Sequence, residues 1–192
     1  MQETKSLQKK IHKQYAQKET KNLLVVHEIL STFVSQKTKL ADQTMEYPKL
    51  NYPPIHLRAR RGATGRAEVF DKVRGRWLVL TPEEWVRRHV VEYMRSECGF
   101  QPQQIAEEHP IGINSMSQRA DIVAFDNNST PYVVVECKEP NVKIDNEVLA
   151  QVVRYNSVLG CRYVVITNGI VTHCYSFEDG RYTPINHFPR LG

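Results

Sequence analysis

The 192-residue sequence has no CxxC pair, no Cys/His array, no glycine-rich phosphate loop and no apolar run of membrane-spanning length. Each absence excludes a class of protein. Cys98, Cys137, Cys161 and Cys174 are too widely spaced for a zinc ribbon or a dense disulfide framework, so they read as reduced, mostly buried thiols. Residues 22–34, the most apolar stretch, are interrupted by His27 and Glu28, and the amino-terminal MQETKSLQKK has no apolar signal core. A cytoplasmic protein without a membrane partner is therefore expected. Without a Walker A run, the chain by itself is not an ATP-driven motor. The seven histidines show no ligand or triad spacing, and Ser157 and Ser176 lack a nucleophile-elbow context.

What is present suits a globular chain: 41% hydrophobic and 24% charged residues, enough for one core and a small appendage. The formal charge of +5 is unevenly placed, roughly +9 over residues 1–80 and roughly −4 over residues 81–192. Arg58, Arg60, Arg61, Arg66, Lys72, Arg74 and Arg76 form a basic run that either neutralises phosphates or is a solvated face.

Residues 1–44 are expected to be a basic, helical extension, with Leu23, Leu24, His27, Leu30 and Val34 at helical spacing. Residues 45–80 read as a linker followed by a basic hairpin. Prolines 48, 53 and 54 keep the linker extended, and the hairpin strands lie near 68–70 and 77–80. Residues 81–192 form the third segment, in which the pattern predicts the order α, β, β, β, α, β, β. Its first helix starts at Thr81 as N-cap with Pro82 in the first turn and closes at Cys98-Gly99. The strands fall at 105–113, 120–125 and 132–138, a helix at 146–159 ends before Gly160, and two strands follow at 163–167 and 171–177. The expected fold is α/β: a mixed, mainly four-stranded central sheet flanked by helices.

Charged residues interrupt the most apolar of these strands. In Tyr132-Val-Val-Val-Glu136-Cys137-Lys138, residues two apart share a face, so a carboxylate and an ammonium follow directly on sheet core. A buried charge needs a partner. Asp121 raises the same difficulty at the start of the preceding strand, and hairpin pairing brings it near Glu136, where two carboxylates repel unless a cation lies between them. Mg²⁺ (or Mn²⁺) held by Asp121, Glu136 and the backbone carbonyl of Cys137 relieves that repulsion, with Lys138 beside it to orient water. For the Glu-x-Lys tripeptide taken alone, a simple ion pair at a strand end is the competing explanation.

Arg119-Ala-Asp121, Glu136-Cys-Lys138 and Gln151-Val-Val-Arg-Tyr155-Asn together resemble the PD-(D/E)xK nuclease superfamily. With Leu80-Thr-Pro-Glu-Glu-Trp-Val-Arg87, Pro140 and Val-Ile-Thr167-Asn-Gly, residues 48–177 resemble the amino-terminal domain of type I restriction enzyme R subunits, which also occurs as a stand-alone protein. The resemblance implies a restriction-endonuclease-like core (αβββαβ) that hydrolyses DNA. It implies Asp121 and Glu136 as metal ligands, Lys138 as catalytic lysine, Gln151 lining the site, and a first-helix glutamate completing it: Glu84, with Glu83 as rival. Arg58, Arg60, Arg61, Arg74, Arg76, Arg119 and Arg154 would contact nucleic acid, and the expected partners are DNA and either restriction-modification subunits or a second copy. The first motif reads Ala-Asp rather than Pro-Asp, and residues 1–44 lie outside the resemblance, which leaves Met45 as an alternative start. The rival reading is a catalytically weak or inactive nucleic-acid-binding or protein-interaction module of the same fold.

Overall fold

A computed structural model describes residues 47–113 and 116–192; the helix expected within residues 1–44 lies outside them. The described residues form a mixed α/β structure of two sheets and two α-helices.

Strands β1 (Ala59–Arg61), β2 (Ala67–Asp71) and β3 (Arg76–Val79) make an antiparallel sheet in the order β1-β2-β3. The expected hairpin is β2–β3. Strand β1 was not anticipated, because its Ala-Arg-Arg is exposed throughout and carries no alternation; pairing of Arg60 with Glu68 is what places it.

Helix α1 (Pro82–Ser96) begins where expected: the Thr81 hydroxyl accepts from the Glu84 amide at 3.0 Å and Pro82 occupies the first turn. Helix α2 (Asn146–Leu159) is capped by Asp145 and stopped by Gly160 at φ 66°, a left-handed conformation that a Cβ would disfavour.

The larger sheet has the order β4-β5-β6-β7-β8-β9, from β4 (Ile105–Ile113), β5 (Met116–Phe125), β6 (Pro131–Cys137), β7 (Tyr163–Thr167), β8 (Thr172–Glu178) and β9 (Arg181–Ile185). Only β6 and β7 run parallel, joined across α2. The sheet therefore has six strands rather than mainly four. The addition at its far edge is β9, which returns through a turn with Asp179 at φ 49° and Gly180 at φ 76°, the backbone sign that two-residue hairpins require. Pro184 in β9 and Pro110 in β4 lack a donor, and both sit on edge strands, where the loss is tolerated.

Alternation along β6 sends Val133, Val135 and Cys137 to the layer containing α1, and Val134 to the layer containing α2. Strand β4 changes sides. Ile105 packs in the α1 layer and Ile111 in the α2 layer, because Glu108 between them has φ 53° and turns the strand over. Its antiparallel neighbour changes sides at the matching place: Ile122 joins the α1 layer, Ala120 the α2 layer, and Asp121 stands at the crossover. No described helix is long and apolar enough to cross a membrane.

Residues 47–54 run along the domain as an extended strap. Tyr47 stacks on Trp85, the Trp85 indole donates to the Pro48 carbonyl, and the Asn51 amide donates to the Gly169 carbonyl at 2.7 Å. Gly169 has φ 84°, and a Cβ there would lie 2.7 Å from Leu50 Cδ2. Gly169→Ala should therefore cost about 1–3 kcal/mol by loosening this strap. Urea unfolding would register it as a lowered midpoint at unchanged slope, and an unchanged midpoint would show that Leu50 repacks freely.

Candidate active site

Strands β5 and β6 pair with Ile122 opposite Val135, so Asp121 and Glu136 occupy the next facing positions. There the backbone ladder gives way to a side chain: the Cys137 amide donates to Asp121 Oδ2 at 2.7 Å. Glu136 lies 3% exposed at the strand end. Its Oε1 accepts from Lys138 Nζ and from Gln151 Nε2, each at 2.7 Å. Gln151 Oε1 accepts from Lys138 at 3.3 Å, and Gln151 Nε2 also donates to the Tyr155 hydroxyl at 2.8 Å, one helical turn further along α2. Asp121, Glu136, Lys138 and Gln151 thus come together from β5, β6 and α2.

Arg87 of α1 reaches the same place, and reading the sequence for acids and lysines overlooked it. Its guanidinium contacts Asp121 Oδ1 at 2.7 Å, Glu108 Oε1 at 2.6 Å, Glu84 Oε2 at 3.0 Å and Glu83 Oε1 at 3.1 Å. The available signal was its spacing, three and four residues after two glutamates. Glu84, preferred over Glu83 in the sequence, points into a neighbouring cluster with Asp71 and Glu107, all buried. Those three carboxylates are close enough to bind a metal, but two guanidiniums already fill the space. Arg88 contacts Asp71 at 3.0 Å, Glu84 at 2.7 Å and Glu107, while Arg74 contacts Asp71, Glu84 at 3.0 Å and Glu107 at 3.0 Å. The Asp71 carboxyl accordingly sits below its ordinary value: burial pushes it up, and Arg88 and Arg74 more than offset that. Glu83 has the other orientation. Its Oε1 and Asp121 Oδ1 contact the same Arg87 nitrogen, Nη2, whereas Glu84 contacts Nη1, so among the two glutamates it is Glu83 that shares a guanidinium nitrogen with Asp121.

Across both clusters, Asp71, Glu83, Glu84, Glu107, Glu108, Asp121 and Glu136 face Arg74, Arg87, Arg88 and Lys138. With the largely exposed Arg119 added at 3.9 Å from Glu108, seven carboxylates meet five cations, so carboxylates remain in excess. Burial, then repulsion from Asp121, raises the Glu136 carboxyl to about 7. Burial also raises Asp121, against the pull of Arg87, and burial followed by Asp121 raises Glu83. Burial alone would lower Lys138, but the hydrogen bond and charge of Glu136 carry it above its ordinary value. Hard carboxylate oxygens in excess of local positive charge are a donor set that fits a divalent cation such as Mg²⁺.

The arginines assigned to nucleic acid divide. Arg58, Arg60, Arg61 and Arg76 are exposed on or beside the three-stranded sheet, and Arg154 is exposed on α2. Arg119 is 65% exposed, with one nitrogen 3.9 Å from Glu108. Arg74 is turned inward on its carboxylates and is 12% exposed.

With no divalent ion bound, the folded protein holds the Glu136 proton more tightly than the unfolded chain does between pH 4.5 and about 7. Its contribution to stability is complete below the lower value and is lost as pH rises through the upper one, a fall on the order of 3 kcal/mol. Glu136→Gln should flatten that fall in urea titrations made with chelator between pH 5 and 8; equal slopes for both proteins would contradict the raised value.

Residues 82–189 match the family model described as type I restriction enzyme R protein N terminus. No curated protein matches the chain. Among solved structures, it is similar to the fragment structure of a putative HsdR subunit of a type I restriction enzyme from Vibrio vulnificus YJ016, at 22% identity and a TM-score of 0.45, over 58% of this chain and 24% of that one. The chain therefore spans about a quarter of that relative's length. Since the matched segment runs from the first turn of α1 past the end of β9 and takes in more than half of the chain, the chain belongs to the family of type I restriction enzyme R protein N-terminal domains.

Proposed function

We propose that the domain is a metal-dependent DNA nuclease of the PD-(D/E)xK type, with α1, β4, β5, β6, α2 and β7 as its restriction-endonuclease-like core. The observation that supports it best is the meeting of Asp121, Glu136, Lys138 and Gln151 at one end of β5 and β6, in a site short of positive charge. Asp121, Glu136 and the Cys137 carbonyl would hold Mg²⁺ or Mn²⁺, with Glu83 rather than Glu84 as the further carboxylate in reach of the same field. When bound, the ion supplies a Lewis acid for a phosphate oxygen and lowers the pKa of a water.

The chain's own residues do the rest. Lys138 stands over Glu136, where its ammonium can orient the attacking water and offset charge developing on the phosphate oxygens. Gln151 ties Glu136 and Lys138 together and is itself fixed by Tyr155, so both keep one orientation. Water attacks phosphorus and gives up a proton to solvent, the bond from phosphorus to the leaving oxygen breaks, and a proton from solvent completes that hydroxyl. DNA is the proposed substrate. Other restriction-modification subunits, or a second copy, are the proposed protein partners.

A second reading, a binding module without cleavage, is favoured by one observation: both Asp121 oxygens already have partners, Arg87 and the Cys137 amide. Calorimetry with Mg²⁺ and Mn²⁺, paired with plasmid nicking, separates the two. Asp121→Asn and Glu136→Gln should lose both metal binding and nicking. Lys138→Ala should keep the metal while nicking falls about 10²-fold or more. Nicking that survives in Lys138→Ala, or a wild-type protein that binds neither ion, would refute the nuclease.

A further inference from the structure

The outer face of the three-stranded sheet carries an arrangement that the catalytic reading does not use. On that face Phe70 of β2 lies beside Trp77 of β3, edge to face at 5.5 Å. The Arg58 guanidinium lies over both rings, 5.1 Å from the Phe70 centroid and 5.2 Å from that of Trp77. Arg60 lies over Trp77 at 4.2 Å, while its Nε donates to Glu68 at 2.7 Å. The opposite face of the same sheet is not free: Val69 and Asp71 are buried, and Asp71 is bound to Arg88 of α1.

We infer that this outer face grips the phosphate backbone of duplex DNA without reading its sequence. A guanidinium over an aromatic ring is attracted by the ring's negative face and can still turn its remaining N–H groups to phosphate oxygens. Two arginines are thereby fixed on exposed strands that would otherwise leave them mobile, and less freedom is lost on binding. Arg66 and Lys72 are exposed in the adjoining turns, whereas Arg61 and Arg76 stand at the alternate strand positions that face the other way; Glu68 is the carboxylate that β2 places on this face, and Glu92 of α1 lines the same cleft as Arg58, Phe70 and Lys72. Such an excess of positive charge is complementary to a polyanion.

The same stacking argues for duplex over single strand. Single-stranded DNA is held chiefly by bases stacking on aromatic rings, and here guanidiniums already lie over the Trp77 and Phe70 rings. What the face offers is charge at fixed positions, which suits the regular phosphates of a duplex. The β2–β3 turn of this sheet carries Arg74 to the carboxylates that neighbour Asp121, which ties the sheet to the elements that hold the proposed site.

The inference rests on the nuclease reading for the choice of DNA as polyanion, and it is tested without cleavage. Fluorescence anisotropy of the full chain with labelled random-sequence duplex, in chelator and at rising salt, should show binding that falls steeply with salt. The same strand unpaired should bind no more tightly. Arg58→Gln and Arg60→Gln should each weaken the duplex about five- to tenfold for every sequence and reduce the salt slope by about one. Trp77→Leu, which removes no charge, should weaken binding at nearly unchanged slope, with circular dichroism confirming the fold. Arg58→Gln and Arg60→Gln should still bind Mg²⁺ like the wild type by calorimetry, so loss of the metal site and loss of grip stay distinguishable. Absence of duplex binding at low salt, as for a face meant for an acidic protein, overturns the inference. So does a single strand held about tenfold more tightly, or wild-type behaviour of both arginine variants.

Discussion

A shortage of positive charge at the end of β5 and β6 shapes the rest of this domain. Carboxylates from α1, β4, β5 and β6 converge there, and Arg87 alone touches four of them. Burying that many acids is unfavourable unless each is paired, protonated or bound to a metal. All three answers bear on the site. Arg87 and Lys138 pair with Asp121 and Glu136, burial raises both of those carboxyls, and the charge still outstanding suits a divalent cation.

The fold supplies the geometry that lets acids gather without breaking the core. Glu108 reverses β4 at its left-handed residue, β5 changes sides opposite it, and Asp121 lands between the α1 and α2 layers. From that crossover it reaches both Arg87 on one helix and the amide of Cys137 on the neighbouring strand. Meanwhile Asp71 and Arg74 join the small sheet to α1 and β4 through ion pairs with Arg88, Glu84 and Glu107. The inner side of the small sheet is thus tied by ion pairs to the elements that carry the acidic site, while Arg58 and Arg60 stay outside that network. Positive charge is turned outward on the sheet's outer face, and negative charge is concentrated at the ends of β5 and β6.

Much of this was legible in the sequence because it depends on local rules. Thr81-Pro82 and Asp145 start helices, Gly160 stops one, and Tyr132 to Lys138 alternates into an acid and a base on one face, all within a few residues of chain. Gln151 was legible by resemblance, and in the structure it hydrogen-bonds Glu136 and Lys138. Strands β1 and β9 were not visible: the first is three exposed residues, and the second is an edge strand containing proline. Their pairing partners, more than their own composition, make them strands.

By itself the sequence determined the two helices and strands β2 to β8, in order, and that a carboxylate and a lysine share a face at the end of a buried strand, because helix caps and the period of two act between near neighbours. Tertiary structure decided which charges meet. It turned Glu83 rather than Glu84 toward Asp121, drew Arg74 inward while leaving Arg58 and Arg60 on their rings, and brought Arg87 onto four carboxylates. Adjacent glutamates on a helix point about 100° apart, so only the strands packed around α1 settle which of them faces the site.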